Sequence, residues 1–343
     1  MNTATLQNNV QPVRVLSFTD QIGFLVSISL VFCISLWLSP YYVDGDQYHY
    51  IRIYEAMANK PFLEAATFYF REFSFTPEAT HFFFSWHLAY AGLPKFLAMS
   101  LVNALMAGVL AKILLDRRVH PFIVVLFITT NFYLYVLYFA GERLKFGFIF
   151  LFLAVLVSQQ RPLLSKGFAV VSIFSHLQMA IVCAALMLKN LDLRVRYRDL
   201  FFIKKDRFKA TLLVVLLVIA LLVVGGNYLF WKLAQYLGKH GIGVIFDFVQ
   251  LAVFYVGLIY FCPSKKRVAT ALFLPLLMAV MVVGGDRVII FAYMVFIFYV
   301  LQVNRGFNAG VLVTSLYFGF KGLAFVLEVL AMGKAFSGQF SVF

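Results

Sequence analysis

Residues 122–157 read FIVVLFITTNFYLYVLYFAGERLKFGFIFLFLAVLV. Two apolar runs, Phe122 to Phe139 and Phe146 to Val157, enclose a charged triplet, Glu142, Arg143 and Lys145. Charge is expensive next to hydrocarbon and is kept where it lines a polar cavity or meets an anion. The remainder of the chain has the same character. Of its 343 residues 63% are hydrophobic and 13% charged, and the mean hydropathy is +0.89. That composition lies outside the range of soluble domains. The expected fold is all-α: a polytopic integral membrane helical bundle of about nine to eleven membrane helices, short or re-entrant ones included, around an outward-facing cavity.

Outward from this stretch, charge sets the topology. The net charge is +14, and a basic loop over 189–209 reads as cytoplasmic by the positive-inside rule, not as a nucleic-acid surface, because no base-stacking module accompanies it. The expected organisation is a cytoplasmic tail over 1–20 and one transmembrane domain over 21–335, with an external loop at 39–79. Ile22 to Leu38 reads as a retained anchor. His81 to Tyr90 is expected as a short helix in the outer half, followed by crossings at Phe96 to Leu115, Pro121 to Phe139 and Phe146 to Val157. Gly167 to Leu188 has basic flanks on both sides yet only about 22 residues, which predicts two short helices turning near Ser175-His176. Ala210 to Val224, Val244 to Phe261, Val268 to Val283, Val288 to Val303 and Val311 to Leu330 complete the expected spans. The three cysteines, Cys33, Cys183 and Cys262, have no metal-ligand or disulfide spacing and read as buried small hydrophobes. No Walker loop, dinucleotide fingerprint or zinc motif is present, so neither cofactor nor metal is expected.

On this path Asp44, Asp46, Arg143, His176 and Arg287 address one external cavity. An arginine fork matches phosphate oxygens in bidentate fashion, so Arg143 and Arg287 are candidates to clamp a pyrophosphate. The alternative is that each snorkels to the interface or pairs with its neighbouring acid, Glu142 or Asp286. His176 can move a proton near neutral pH, or be a structural histidine within the bundle. The segment 41–55 mixes carboxylates with rings, which suits sugars: Asp44, Asp46, Tyr48, Tyr50 and Arg52 are candidate contacts, together with Glu142, Lys145 and Asp286. Interfacial tyrosines in an external loop would also explain that composition.

The order of these features resembles the EpsG branch of the Wzy-type bacterial polysaccharide polymerases. Asp46, Tyr50 and Tyr54-Glu55 match the external motif. Tyr133, Tyr135, Tyr138 and Arg143 match an arginine after an aromatic helix end, Phe174-Ser175-His176 matches the histidine turn approximately, and Arg287 matches a late arginine. Leu144 stands where the family usually has glutamine, and Ser175 displaces the usual phenylalanine. The resemblance implies a membrane glycosyltransferase of GT-C-like architecture in the bacterial inner membrane, acting at its periplasmic face without metal or nucleotide. It would transfer a glycan from undecaprenyl pyrophosphate to the non-reducing end of another lipid-linked repeat unit. Arg143 and Arg287 would stabilise the leaving pyrophosphate, and His176 or Asp46 would be the base. The implied partners are the undecaprenyl-pyrophosphate-linked oligosaccharide, membrane lipid, and a chain-length regulator and flippase of the same pathway. An O-antigen-type ligase and a lipid-linked oligosaccharide flippase are the competing readings. The flippase requires polar groups along a path through both leaflets.

Overall fold

A computed structural model describes residues 15–74, 78–190, 243–283 and 285–336. All regular structure among them is helical. Among the described residues three helices, at Phe18–Tyr41, Lys95–Asp116 and Val303–Met332, are long and apolar enough to cross a membrane; counting each of two bent pairs as one span gives five. The chain is therefore a helical membrane protein. The larger expected number included Ala210 to Val224, which lies outside the described residues, as does 191–209 of the basic loop.

The described residues fall into two compact units, one of 15–69, 78–179 and 300–336, the other of 70–74, 180–190, 243–283 and 285–299. In the first, α1 (Phe18–Leu38) opens on a capping box: Asp20 N donates to Ser17 Oγ at 3.3 Å and Ser17 N donates to Asp20 Oδ2 at 3.2 Å. Gly23, Ser27, Val31 and Ser35, spaced four apart, form its buried stripe. A Cβ on Gly23 would lie 2.6 Å from Pro121 Cβ, so the small residue is what lets the helices approach. Leu25, Leu30 and Trp37 stay exposed, the apolar surface a membrane covers. Cys33 is on that exposed side, a correction to its expected burial; Cys183 and Cys262 are buried. The helix stripe is only four residues wide in period, and Cys33 falls off it.

The loop expected over 39–79 is itself folded, into α2 (Asp46–Met57) and α3 (Phe62–Phe68). The short helix α4 (Ala79–Tyr90) matches expectation, and the chain turns at Gly92, φ +75°, before α5 (Lys95–Asp116). α5 is the centre of this unit. Its small face, including Ala104, Ala107, Gly108 and Ala111, is buried, and Asn103 Nδ2 donates to Ser35 Oγ of α1 at 3.0 Å.

The span expected at Pro121 to Phe139 is broken. α6 (Pro121–Thr130) ends at Asn131, whose extended backbone and side chain start α7 (Phe132–Tyr135), the carboxamide oxygen accepting from Tyr133 N at 3.0 Å. An Asn N-cap outweighs apolar continuity here. The path bends by 56° and passes through a π-helical turn, Val136–Ala140, to Gly141. α14 (Ala309–Met332, the last helix) packs on this bend through Gly322, where a Cβ would meet Thr130 O at 2.6 Å.

α8 runs Glu142–Val157, so the charged triplet forms its first turn. α9 (Pro162–Ser175) packs along it, Ser172 Oγ donating to Gly147 O at 2.7 Å. The helix stops where predicted: His176 is extended, φ −159° and ψ 123°, and α10 (Met179–Asn190) begins three residues later. In the second unit α11 (Gly243–Phe261) and α12 (Lys266–Val283) form a pair bent by 116°, followed by α13 (Gly285–Val300).

Candidate functional site

The first turn of α8 delivers three charges in three directions, because consecutive helical residues point about 100° apart. Arg143 pairs with neither neighbour. Its Nη1 donates to Glu78 Oε2 at 2.6 Å and its Nε donates to the Tyr50 hydroxyl at 3.3 Å. The other Glu78 oxygen meets His176 Nδ1 at 2.5 Å. One carboxylate, immediately preceding α4, thus joins the arginine of α8 to the histidine at the break after α9. Of the three, Arg143 keeps most access, its side chain 27% exposed against 14% for His176 and 6% for Glu78.

Glu78 lies outside the spanning segments and is buried, which alone would raise its pKa; the His176 hydrogen bond and the His176 and Arg143 charges override this and hold it at about 2. Burial pushes Tyr50 up to about 12, with Arg143 opposing, so the phenol stays protonated. With Nδ1–H donated to Glu78, the imidazole is fixed in orientation and Nε2 is turned toward Gln178 Oε1, 3.2 Å away.

His176 is placed by close packing. A Cβ on Gly147 would lie 2.7 Å from Met179 Cγ and 3.6 Å from His176 Cβ, so glycine at that position of α8 lets the backbone break come alongside.

Glu142 belongs to a second network. Lys95 Nζ, at the first residue of α5, donates to Glu142 Oε1 and also to Gln47 Oε1, the latter at 2.6 Å. Glu142 Oε2 lies 3.6 Å from His81 Nε2, and the Tyr69 hydroxyl and His81 Nδ1 are 2.9 Å apart. Gln47 Nε2 donates to Phe139 O, a carbonyl of the π-helical turn. Irregular backbone inside a membrane protein needs such a partner. Lys145, one turn further along α8, is fully buried, and its Nζ has no hydrogen-bond partner. A substrate contact there, as expected from sequence, would require α8 to reorganise.

The structure gathers Arg143, His176, Tyr50 and, next door, Glu142. Asp46 opens α2 one turn before Tyr50 and is exposed; Asp44 is exposed beside Gly333, its N–H donating to Gly333 O at 2.9 Å. Tyr48 and Arg52 lie on the opposite face of α2, the guanidinium 5.5 Å from the ring centroid, away from Arg143. Arg287 and Asp286 begin α13, and their side chains lie outside the described residues. Sequence reasoning missed Glu78, His81, Lys95 and Gln47. The available signals were the Glu78-x-x-His81 spacing and the inward face formed by Gln47, Tyr50 and Tyr54 at i, i+3 and i+7.

Beside the second network, a groove of about 460 Å³ runs between the end of α1, α2 and the start of α5. Among the described residues no group of three or more His, Cys, Asp or Glu side chains is placed to hold a metal ion. Compared with known proteins, the chain matches no protein-family profile, no curated protein and no solved structure.

Proposed function

We propose that the protein is a membrane glycosyltransferase that polymerises lipid-linked repeat units at the periplasmic face of a bacterial inner membrane. The observation that carries this reading is the single carboxylate of Glu78 bridging Arg143 and His176. Glycosyl transfer from a pyrophosphate needs two protein contributions: a cation for the departing anion and a base for the attacking hydroxyl. The acceptor oxygen attacks the anomeric carbon as its bond to pyrophosphate oxygen breaks. The leaving lipid pyrophosphate takes the electron pair, and the hydroxyl proton passes to Nε2 of His176 in its neutral form, in which Nε2 is unprotonated and its contact with Gln178 Oε1 is given up to the acceptor hydroxyl. Arg143 stabilises the leaving anion. Glu78 orients the imidazole through Nδ1 and compensates the imidazolium that forms, as a carboxylate does beside a basic histidine. Asp46, exposed at the start of α2, is less well placed as base than a histidine held by a buried carboxylate.

The test is to incubate purified protein in detergent with its host's lipid-linked repeat unit, without ATP, and to resolve products by length. The expected result is a ladder with release of undecaprenyl pyrophosphate. Substrate that binds but stays intact overturns the polymerase and points to a flippase, or to a ligase lacking its acceptor.

A further inference from the structure

We infer that the groove beside Lys95 and Glu142 is a saccharide-binding subsite that holds the acceptor sugar, an assignment resting on the transfer reaction proposed above. Its volume of about 460 Å³ falls within the roughly 300–1,000 Å³ of small-molecule sites. The polar part of its lining is fixed in place. Gln47 and Glu142 are 6% and 2% exposed, and Lys95 ties both together by donating to each. The rings of Tyr54, Phe96 and Tyr138 supply apolar faces around them. Tyr54 is itself held, its hydroxyl donating to Leu93 O at 3.0 Å. A sugar ring presents the complement: an apolar face, and hydroxyls that both donate and accept. The lining can answer each, because an amide NH₂ has two donors, an ammonium three, and a carboxylate about four acceptor positions.

Charge separates a sugar from a phosphate as the occupant. The lining contains two carboxylates, Glu55 and Glu142, against one ammonium, Lys95. Lys145, buried one turn along α8 from Glu142, offsets at most the difference. No surplus positive charge is left for an anion, whereas Arg143 lies outside this lining and is the most exposed member of its own cluster. The groove and that cluster share two helices. Gln47 and Tyr50 are one turn apart on α2, and Glu142 and Arg143 are adjacent on α8. A sugar in the groove is therefore held beside Tyr50 and Arg143, which belong to the cluster that Glu78 joins to His176.

The experiment is equilibrium dialysis of the purified full-length protein against radiolabelled oligosaccharide released by mild hydrolysis from the host's surface polysaccharide. This probe carries neither lipid nor pyrophosphate. Saturable binding is expected, weakened about tenfold or more by Ala58→Trp, which fills the groove from its lining, and by Phe96→Ala, which removes a ring. Thermal melts establish that both variants fold. Arg143→Ala is expected to change this binding by less than about twofold, and inorganic pyrophosphate is expected not to compete. Absence of saturable binding, indifference to both groove substitutions, or displacement by pyrophosphate would each overturn the assignment while leaving the ladder assay untouched. Binding as expected in a protein that forms no ladder would remove the acceptor role and with it the assignment as stated.

Discussion

Glu142 and Arg143 are neighbours in the chain and opposites in the structure. Glu142 is enclosed, its side chain 3% exposed, between Lys95 and His81; Arg143 reaches Glu78 and Tyr50 with a quarter of its side chain still accessible. Both bear charge inside an apolar bundle, but only the accessible one is free to enter a reaction, whereas Glu142 is tied to Lys95 and meets the groove only as part of its fixed wall. The difference teaches that a charged triplet in a membrane helix carries two separable jobs. One network holds α2, α5 and α8 together, and the other is available for chemistry.

The comparison breaks first, and hardest, at Glu142. Glu142→Ala leaves the Lys95 ammonium without its counter-ion and exposes the Gln47 bridge to the π-helical turn. Removing one partner of a buried pair costs about 3–5 kcal/mol. We expect a marked fall in the unfolding temperature in detergent and poor membrane yield, whatever the substrate. Arg143→Ala should do the reverse, because His176 keeps the Glu78 carboxylate paired. Its effect is expected on turnover, on the order of a hundredfold or about 2.7 kcal/mol, in a protein that still inserts and melts cooperatively. A ladder assay beside a melting curve separates the two. If Arg143→Ala unfolds the protein and Glu142→Ala only slows it, the division of roles is wrong.

A smaller effect sharpens the open network. Glu78 titrates at about 2 in the folded protein against its ordinary 4.5. A carboxylate with a depressed folded pKa contributes stability that is fully present above its unfolded pKa and is lost as pH falls through the folded one. The difference in unfolding temperature between wild type and Glu78→Gln should therefore be constant above about pH 4.5 and shrink toward pH 2. A difference that stays constant to pH 2 would mean that Glu78 is not ionised in the Arg143–His176 bridge.

Much of the helical course was legible in the sequence because its signals are local. Ser17 and Asp20 cap α1, Gly92-Leu93-Pro94 separates α4 from α5, and the shortness of Gly167 to Leu188 required a break near His176. The bend at Asn131 was legible in principle, as an Asn before a four-residue helix, but the apolar run around it concealed the cap. The partners of the charges were not legible. Glu78 stands 65 positions before Arg143 and 98 before His176, and nothing in a linear pattern brings those positions together. Helix burial was hidden for a related reason: α1 and α5 are both apolar, yet 28% of the hydrophobic window of one is buried and 72% of the other. What distinguishes α5 is its density of small residues, Ala98, Ser100, Ala104, Ala107, Gly108 and Ala111, which lets neighbours close around it.

The smallest expected effect is at Lys145, and it tests the comparison most finely because the residue belongs to neither network by hydrogen bonding. Its side chain is 0% exposed and its Nζ has no hydrogen-bond partner. An unsatisfied amine in a packed interior is a cost, set only against the Coulomb attraction of Glu142, which Lys95 already engages. Lys145→Met keeps the length and the apolar stem and removes the polar end. The expected outcome is a change in stability within about 1 kcal/mol, or a gain, with ladder formation retained. A large loss of turnover with unchanged melting would show instead that Lys145 reaches the substrate, and α8 would then have to move during the reaction. A large loss of stability would show that Glu142 depends on two lysines rather than one, and the enclosed network would extend a full turn deeper along α8 than its hydrogen bonds mark out.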